Sequence, residues 1–415
     1  MDGIPHHRRG TCRLCGSGNL SLALSLAPTP PANAFVPADA LGREQARFPL
    51  DVAFCRNCAH VQLLDVVDPG ALFAHYVYVS GTSPVFVRHF EDLAAFLTGR
   101  FKPVPGGLVL DIGSNDGTLL TAFARAGLRV LGVDPAREIA ADATARGIET
   151  ICGFFDPALA RDIAARHGEA QIVTANNVFA HIDDLAGVVE GVRTLLAPSG
   201  VFAFEVSYLL DVVRNTLFDT IYHEHLDYHS VKPLVPFFAA HGMELIEAVR
   251  VDTHGGSLRG IVQRKGGPHP VGASVAALVA EEERFGLDRI ETLHAFARDV
   301  EALGGELGAL LRRMKAEGKR IAGFGAPAKA TTLMYHFGIG PEWIDFIVDD
   351  SPLKQGLFTP GMHIPVLPSS ALAEKKPDVL VILAWNFARP IIEKNTAFAK
   401  AGGRFVIPIP KVEVV

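Results

Sequence analysis

The order of apolar and polar positions divides the chain into two similar stretches preceded by a segment unlike either. From residue 107 the sequence reads GLVLDIGSNDGTLLTAFARAGLRVLGVDPA. Val109 to Ile112 is a short apolar run with one embedded carboxylate, Asp111, and Gly113 and Gly117 then bracket Ser114, Asn115 and Asp116. Leu119, Leu120, Phe123 and Ala124 recur at helical spacing, and VLGVD is a second apolar run ending in Asp134. Strand, glycine loop, helix and strand open an α/β sheet whose ligands sit at the carboxyl ends of the strands. IVTANNVFAHIDD predicts another strand, ending in Asn176 and Asn177 ahead of His181, and VFAFEVSYL predicts a further one.

The last third repeats this order. KRIAGFGAPAKATTLMYHFG reads strand, small-residue loop, helix; IDFIVDD is a strand ending at Asp349, as VLGVD ends at Asp134; PDVLVILAWNF and RFVIPIP supply later strands. The repetition predicts an internal duplication of one Rossmann-like unit. Between the copies, EEERFGLDRIETLHAFARDVEALGGELGALLRRMKAEGK is amphipathic and predicts one or two helices that bridge domains. The amino-terminal segment instead carries Cys12-Arg-Leu-Cys15 and Cys55-Arg-Asn-Cys58, separated by a proline-rich stretch, SLAPTPPANAF, that reads as a loop. Two such pairs suit one tetrahedral zinc ion, closed to chemistry because all four positions are sulfur. A thioredoxin-like redox pair is the competing reading and leaves the second pair unexplained. Cys152 reads as an ordinary buried thiol. The expected domains are 1–70, a zinc-ribbon-like module; 71–245, a Rossmann-like domain; and 246–415, a second Rossmann-like α/β domain.

Composition narrows the function classes. With 415 residues, 49% of them hydrophobic and 20% charged, the chain is a multidomain globular protein, and its net charge of −6 argues against nucleic acid as a partner. The start, MDGIPHHRRG, has no secretory pattern, and no apolar run of about 18 residues suggests a membrane span. A cytoplasmic location is expected.

Candidate chemistry follows from the loops. DIGSNDG is a GxxxG, without the third glycine of dinucleotide binders or the lysine of a phosphate loop. Asp111 and Asp116 would repel a pyrophosphate and suit a cationic ligand such as S-adenosylmethionine, with Gly113, Asn115 and Gly117 in the loop. Asp134 is placed for the ribose hydroxyls, and Asn176 and Asn177 for the adenosyl side. Residues 222–229, YHEHLDYH, follow the next strand and so lie near the same rim. A zinc hydrolase would need HExxH, but position 227 is Asp. General base catalysis suits the cluster better, since methyl transfer to carbon requires removal of a proton. In the second copy Lys329 sits in the loop after Gly325, where it and backbone amides could face a pyrophosphate. Lys354, Gln355 and Arg259 are further candidates for nucleotide contacts.

CRLCG, CRNCAHVQL, YVYVSGTSPV, DIGSNDGTLL, YHEHLDYHS, HGGSLRG, and FGAPAKATTLM with VDDSPLKQG together resemble the sugar-nucleotide C-methyltransferases of deoxysugar biosynthesis. The resemblance runs from about residue 11 almost to the carboxyl terminus. It implies a structural zinc domain, a central class I S-adenosylmethionine domain and a carboxyl-terminal domain holding a dTDP-linked 4-keto-deoxysugar. It also implies that His225 is the base, that Tyr222, Glu224, His181 and Tyr76 line the sugar, and that Ser80 and Ser83 close over the methionine part of the cofactor. A small-molecule O- or N-methyltransferase is the alternative, and three domains could serve as a monomer.

Overall fold

The computed structural model describes residues 4–74, 79–253 and 255–415. Tyr76, one of the expected sugar-lining residues, lies outside them. The central sheet has seven strands in the order Met243–Val251, Ser257–Arg264, Leu196–Ser207, Ala170–Asn176, Leu108–Ile112, Arg129–Asp134, Thr150–Cys152. The last five are parallel, and Ser257–Arg264 runs antiparallel to both its neighbours. All five residues of Leu108–Ile112 are buried, as expected of a parallel strand covered on both faces. The expected boundary between 245 and 246 therefore falls inside a strand of the central sheet. The hairpin through Ser257–Arg264, with Arg259, belongs to the central domain.

The carboxyl-terminal sheet orders Val366–Leu367, Ile347–Val348, Ile321–Phe324, Val379–Ile382, Arg404–Ile407 and Glu413–Val414. Numbered along each domain, the parallel strands of both sheets run 3-2-1-4-5, and an antiparallel strand follows the fifth in each. The likeness extends to the first loop. Gly113 donates its N–H to Val133 O and Gly325 to Val348 O, each at 2.7 Å. Asp134 accepts from the N–H groups of Asn115 and Ala136 at 2.8 Å each. Asp349 accepts from those of Ala326 at 2.7 Å and Ser351 at 2.8 Å. In both domains the carboxylate that ends the second strand ties down the loop that follows the first.

The amino-terminal sheet contains Leu20–Thr29, Phe48–Cys55 and Val61–Leu63. Leu20–Thr29 includes the first half of the stretch expected to be a loop. The fourth strand of this sheet is Asp227–Tyr228, paired antiparallel with Val61–Leu63. Part of YHEHLDYH thus completes the zinc module's sheet. The bridging segment forms two helices, Ala273–Phe285 and Ile290–Ala316. The second buries Leu293, Phe296, Val300, Leu303, Leu307, Leu310, Leu311 and Met314 at helical spacing and lies against Leu20–Thr29 and the helix Ala328–Phe337. Cys152 is exposed, because its short strand is the sheet's edge.

The carboxyl-terminal domain holds the central one through residues 219–221. Trp385 Nε1 donates to Asp219 Oδ2 at 2.6 Å, and Thr332 Oγ1 donates to Ile221 O at 2.7 Å, all four groups buried. Among the described residues no helix is long and apolar enough to cross a membrane. Trp385→Phe keeps an aromatic ring and removes the N–H from a buried carboxylate; it should cost about 1.5–3 kcal/mol, seen as a lowered thermal unfolding midpoint.

Candidate active site

The four paired cysteines come together. In each pair a tight turn returns the chain: Gly16 N–H bonds Cys12 O at 2.9 Å and Ala59 N–H bonds Cys55 O at 2.8 Å, and both turn residues have positive φ. The sulfurs of Cys12 and Cys58, and of Cys15 and Cys55, are 3.6 Å apart, and all four lie within 4.8 Å of one another. A tetrahedral zinc–thiolate centre, with bonds of about 2.3 Å, needs sulfur separations near ~3.8 Å. The hydrogen bond from Cys58 lowers the pKa of the Cys12 thiol. The four cysteines fit structural zinc. All of them are free of disulfides.

The backbone and packing of the central domain's first loop require both of its glycines. Gly113 and Gly117 have φ of +68° and +76°. A Cβ on Gly113 would collide with Val178, and one on Gly117 with Ile148. At the end of the fourth parallel strand both amide atoms of Asn176 are buried with no hydrogen-bond partner among the described residues. Such an orphaned amide costs about 1–3 kcal/mol unless a ligand completes it, and it fits the polar edge of S-adenosylmethionine. Asn177, beside it, adopts φ +55° and donates its N–H to Glu205 O at 2.8 Å.

The two carboxylates expected to attract the cofactor's cationic groups each have internal partners. Asp111 is buried within the sheet and accepts from Thr174 Oγ1 at 2.6 Å. Burial pushes its pKa up to about 7. Asp116 accepts from Thr118 Oγ1 at 2.7 Å and from the N–H of Gly81 at 3.0 Å. Asn115 Oδ1 accepts from the N–H of Ser80, also at 3.0 Å. Asn115 and Asp116 therefore staple the turn Ser80–Thr82 onto the glycine loop. A side chain at Gly81 would strike Asp116, so the staple needs glycine there. Ser83 follows as the residue before the helix Pro84–Phe101. Asp134 commits one lone pair of each oxygen to the backbone, and burial raises its pKa.

The titratable residues of YHEHLDYH separate into two sets. Tyr222 and His225 are half-buried, while His223, Glu224, Asp227, Tyr228 and His229 are buried. His223 Nε2 points at the carbonyls of Phe48 and Pro49, at 3.2 and 3.3 Å. Glu224 accepts from Asn33 Nδ2 at 2.7 Å. Asp227 pairs with His60 at 2.6 Å, Tyr228 OH donates to His225 O at 3.1 Å, and His229 stacks on Phe179. Those groups anchor the loop. The remaining two join a column of rings: Phe73 on His181 at 5.6 Å, His181 on His225 at 5.1 Å, His225 on Tyr222 at 4.1 Å. His225 Nδ1 lies 2.7 Å from Thr220 O. A carbonyl only accepts, so Nδ1 carries the hydrogen and Nε2 the lone pair. Burial lowers the His225 pKa to about 4 and that of His181 well below the usual histidine range. The structure thus gathers His181, Tyr222 and His225.

Each of the four expected nucleotide contacts has an internal partner. Arg259 is salt-bridged to Glu205 at 2.6 Å, which also meets His89 at 2.7 Å. That pairing follows from register, since Glu205 and Arg259 face each other across the antiparallel pair. Lys329 Nζ bonds Asn386 Oδ1 at 2.7 Å and lies 3.6 Å from the Trp385 ring centroid. Burial brings its pKa down to about 8. Lys354 Nζ donates to Ala326 O and Gln355 Nε2 to Asp349 O, each at 2.9 Å. The contributions of Asn33, His60, Arg13, Thr220 and Phe73 carried no local signal in the sequence.

A seven-stranded sheet of this order, a loop whose two glycines tolerate no side chain and an unsatisfied amide at the fourth strand define a class I S-adenosylmethionine-dependent methyltransferase, joined to a four-cysteine zinc domain. Comparison with known proteins agrees. Residues 12–73 match a putative zinc binding domain, 86–248 a methyltransferase domain and 252–410 the C-methyltransferase C-terminal domain. The chain is 38% identical to the C-methyltransferase NovU of Streptomyces niveus over 404 residues, 97% of this chain and 96% of that one. A ubiquinone biosynthesis O-methyltransferase of Ralstonia nicotianae is 32% identical over 119 residues, 27% of this chain and 50% of the relative. The crystal structure of magnesium protoporphyrin IX methyltransferase from Synechocystis PCC 6803 with bound SAH overlaps 43% of this chain and 83% of its own, at 17% identity and a TM-score of 0.33. The chain belongs to the family of C-methyltransferases of the NovU type. It is an S-adenosylmethionine-dependent C-methyltransferase, so the alternative of transfer to oxygen or nitrogen falls away.

Gly113→Ala should raise the dissociation constant for S-adenosylmethionine at least about ten-fold by calorimetry, since the added methyl meets Val178 and a strained φ. Elemental analysis should return about one zinc per chain, and Cys12→Ser should lower that content.

Proposed function

We propose that the enzyme methylates C-3′ of a dTDP-linked 4-keto-deoxysugar, with His225 as the base. The observation that carries the proposal is the tautomer of His225: its Nδ1–H is committed to Thr220 O at 2.7 Å, leaving a basic Nε2 on a neutral ring. The motifs resemble the tetronitrose C-3′-methyltransferase, and family membership supports a carbon acceptor. A keto group at C-4′ acidifies the neighbouring C–H. His225 Nε2 takes the C-3′ proton, and the electron pair moves into a C-3′–C-4′ double bond with the charge on the ketone oxygen. Tyr222 OH donates to that oxygen; burial raises its pKa well above the usual range, so it stays a donor. S-adenosylmethionine supplies a methyl on a sulfonium, whose C–S bond breaks as the enolate carbon bonds to it. His181, kept neutral, packs against the base without competing for the proton. Proximity and proton transfer then provide the rate enhancement. Lys354 and Lys329, beside the loop after Gly325, are the cations we assign to a pyrophosphate meeting that domain's loop amides.

His225→Asn should lower kcat by about 10²–10⁴-fold with cofactor affinity retained; turnover near that of the unchanged enzyme refutes the assignment. The neutral ring is the active form. Its pKa is lowered from 6.5 to about 4, so the acid limb of kcat should fall as pH drops through the lower value and not through the higher one. Proton–deuterium exchange at C-3′ of dTDP-4-keto sugars, followed by mass spectrometry without S-adenosylmethionine, identifies the acceptor.

A further inference from the structure

The two residues that follow His225 are bonded to both cysteine knuckles, through side chains the metal site does not itself require. Arg13 lies between Cys12 and Cys15, and its guanidinium is fully buried. Its NH1 donates to the carbonyls of Leu63 at 2.7 Å and Leu226 at 3.3 Å, and its Nε to Asp183 Oδ1 at 2.9 Å. His60 follows Cys58 by two residues. Its Nε2 meets Asp227 Oδ1 at 2.6 Å with neither side chain exposed, while Asp227 Oδ2 lies 3.9 Å from Arg13 Nε. Leu226, between base and carboxylate, gives its N–H to Ala180 O and takes that of Leu63 on its own O, both at 2.8 Å. Ala180 precedes His181, the ring against which His225 stacks. A buried carboxylate is tolerated only when such partners surround it, so the position of Asp227 fixes where the chain beside the base can lie.

We propose that Asp227, held by His60 and Arg13 of the zinc knuckles, is a positioning residue that sets the His225 ring against His181. The proposal rests on the reading of His225 as base. It involves no transfer of a proton or electrons through the knuckles; the coupling is mechanical. A displacement of about 1 Å at a reacting group can cost ~10²-fold in rate, and removing the Asp227 carboxylate takes away the side-chain anchor two residues from the imidazole.

A double-mutant cycle on the full chain tests this. Asp227→Ala should lower kcat about 10–100-fold, with zinc content and calorimetric affinity for S-adenosylmethionine unchanged. In the His225→Asn background the same change should cost less than about two-fold, because the group it positions is gone. Asp227→Asn keeps an acceptor for the His60 N–H and should stay within about five-fold of the unchanged enzyme. Additive losses in the cycle, loss of zinc, or an Asn variant as poor as the Ala variant would overturn the proposal. If Asp227→Ala does not fold, His60→Gln takes its place in the cycle with the same two expectations. Should His225→Asn turn over normally, the base assignment itself falls and this coupling with it. An intact base assignment with an additive cycle removes the coupling alone.

Discussion

The constraint on which the structure turns is that a buried polar group must find a partner, and the loop from Asp219 to His229 finds its partners in other domains. At its start the carboxyl-terminal domain supplies Trp385 and Thr332. In its middle Asn33 and the carbonyls of Phe48 and Pro49 take Glu224 and His223. At its end His60 takes Asp227. With these anchors supplied from outside, the loop leaves Tyr222 and His225 half-buried in the column of rings. The desolvation that keeps His225 neutral comes from the same packing.

What the sequence revealed, and what it hid, follows from the range of each interaction. Apolar runs next to glycine loops are local, so four of the five parallel strands in each α/β domain could be read directly, while the short edge strands Thr150–Cys152 and Val366–Leu367 could not. The CxxC spacing is also local, and it identified the four ligands. Pairings across domains leave no such trace: His60 and Asp227 stand 167 positions apart. The ion pair of Arg259 was hidden for the same reason. In HGGSLRG the arginine looks like a free cation near glycines, but sheet register sets it opposite Glu205. Asp111 and Asp116 sit where the loop pattern puts them. Their side chains turn to Thr174 and to the Ser80–Thr82 turn, a choice made by neighbours distant in the chain.

The two α/β domains share a device more specific than strand order. In each, one aspartate clamps the glycine loop by accepting two backbone N–H groups. That leaves the loop rigid before any ligand arrives, which reduces the entropy lost on binding. The copies diverge around the clamp: an orphaned amide borders the first, and two lysines with internal partners border the second. The same strand order and clamp thus sit in chemically different surroundings in the two domains.

The donated strand Asp227–Tyr228 has an evolutionary consequence. A sheet that borrows an edge from its neighbour cannot be exchanged as a self-contained cassette, because its removal strands hydrogen-bonding groups on both sides of the cut. The zinc module and the methyl-transferring domain are therefore bound to diverge together, each substitution at their seam selecting for its complement in the other.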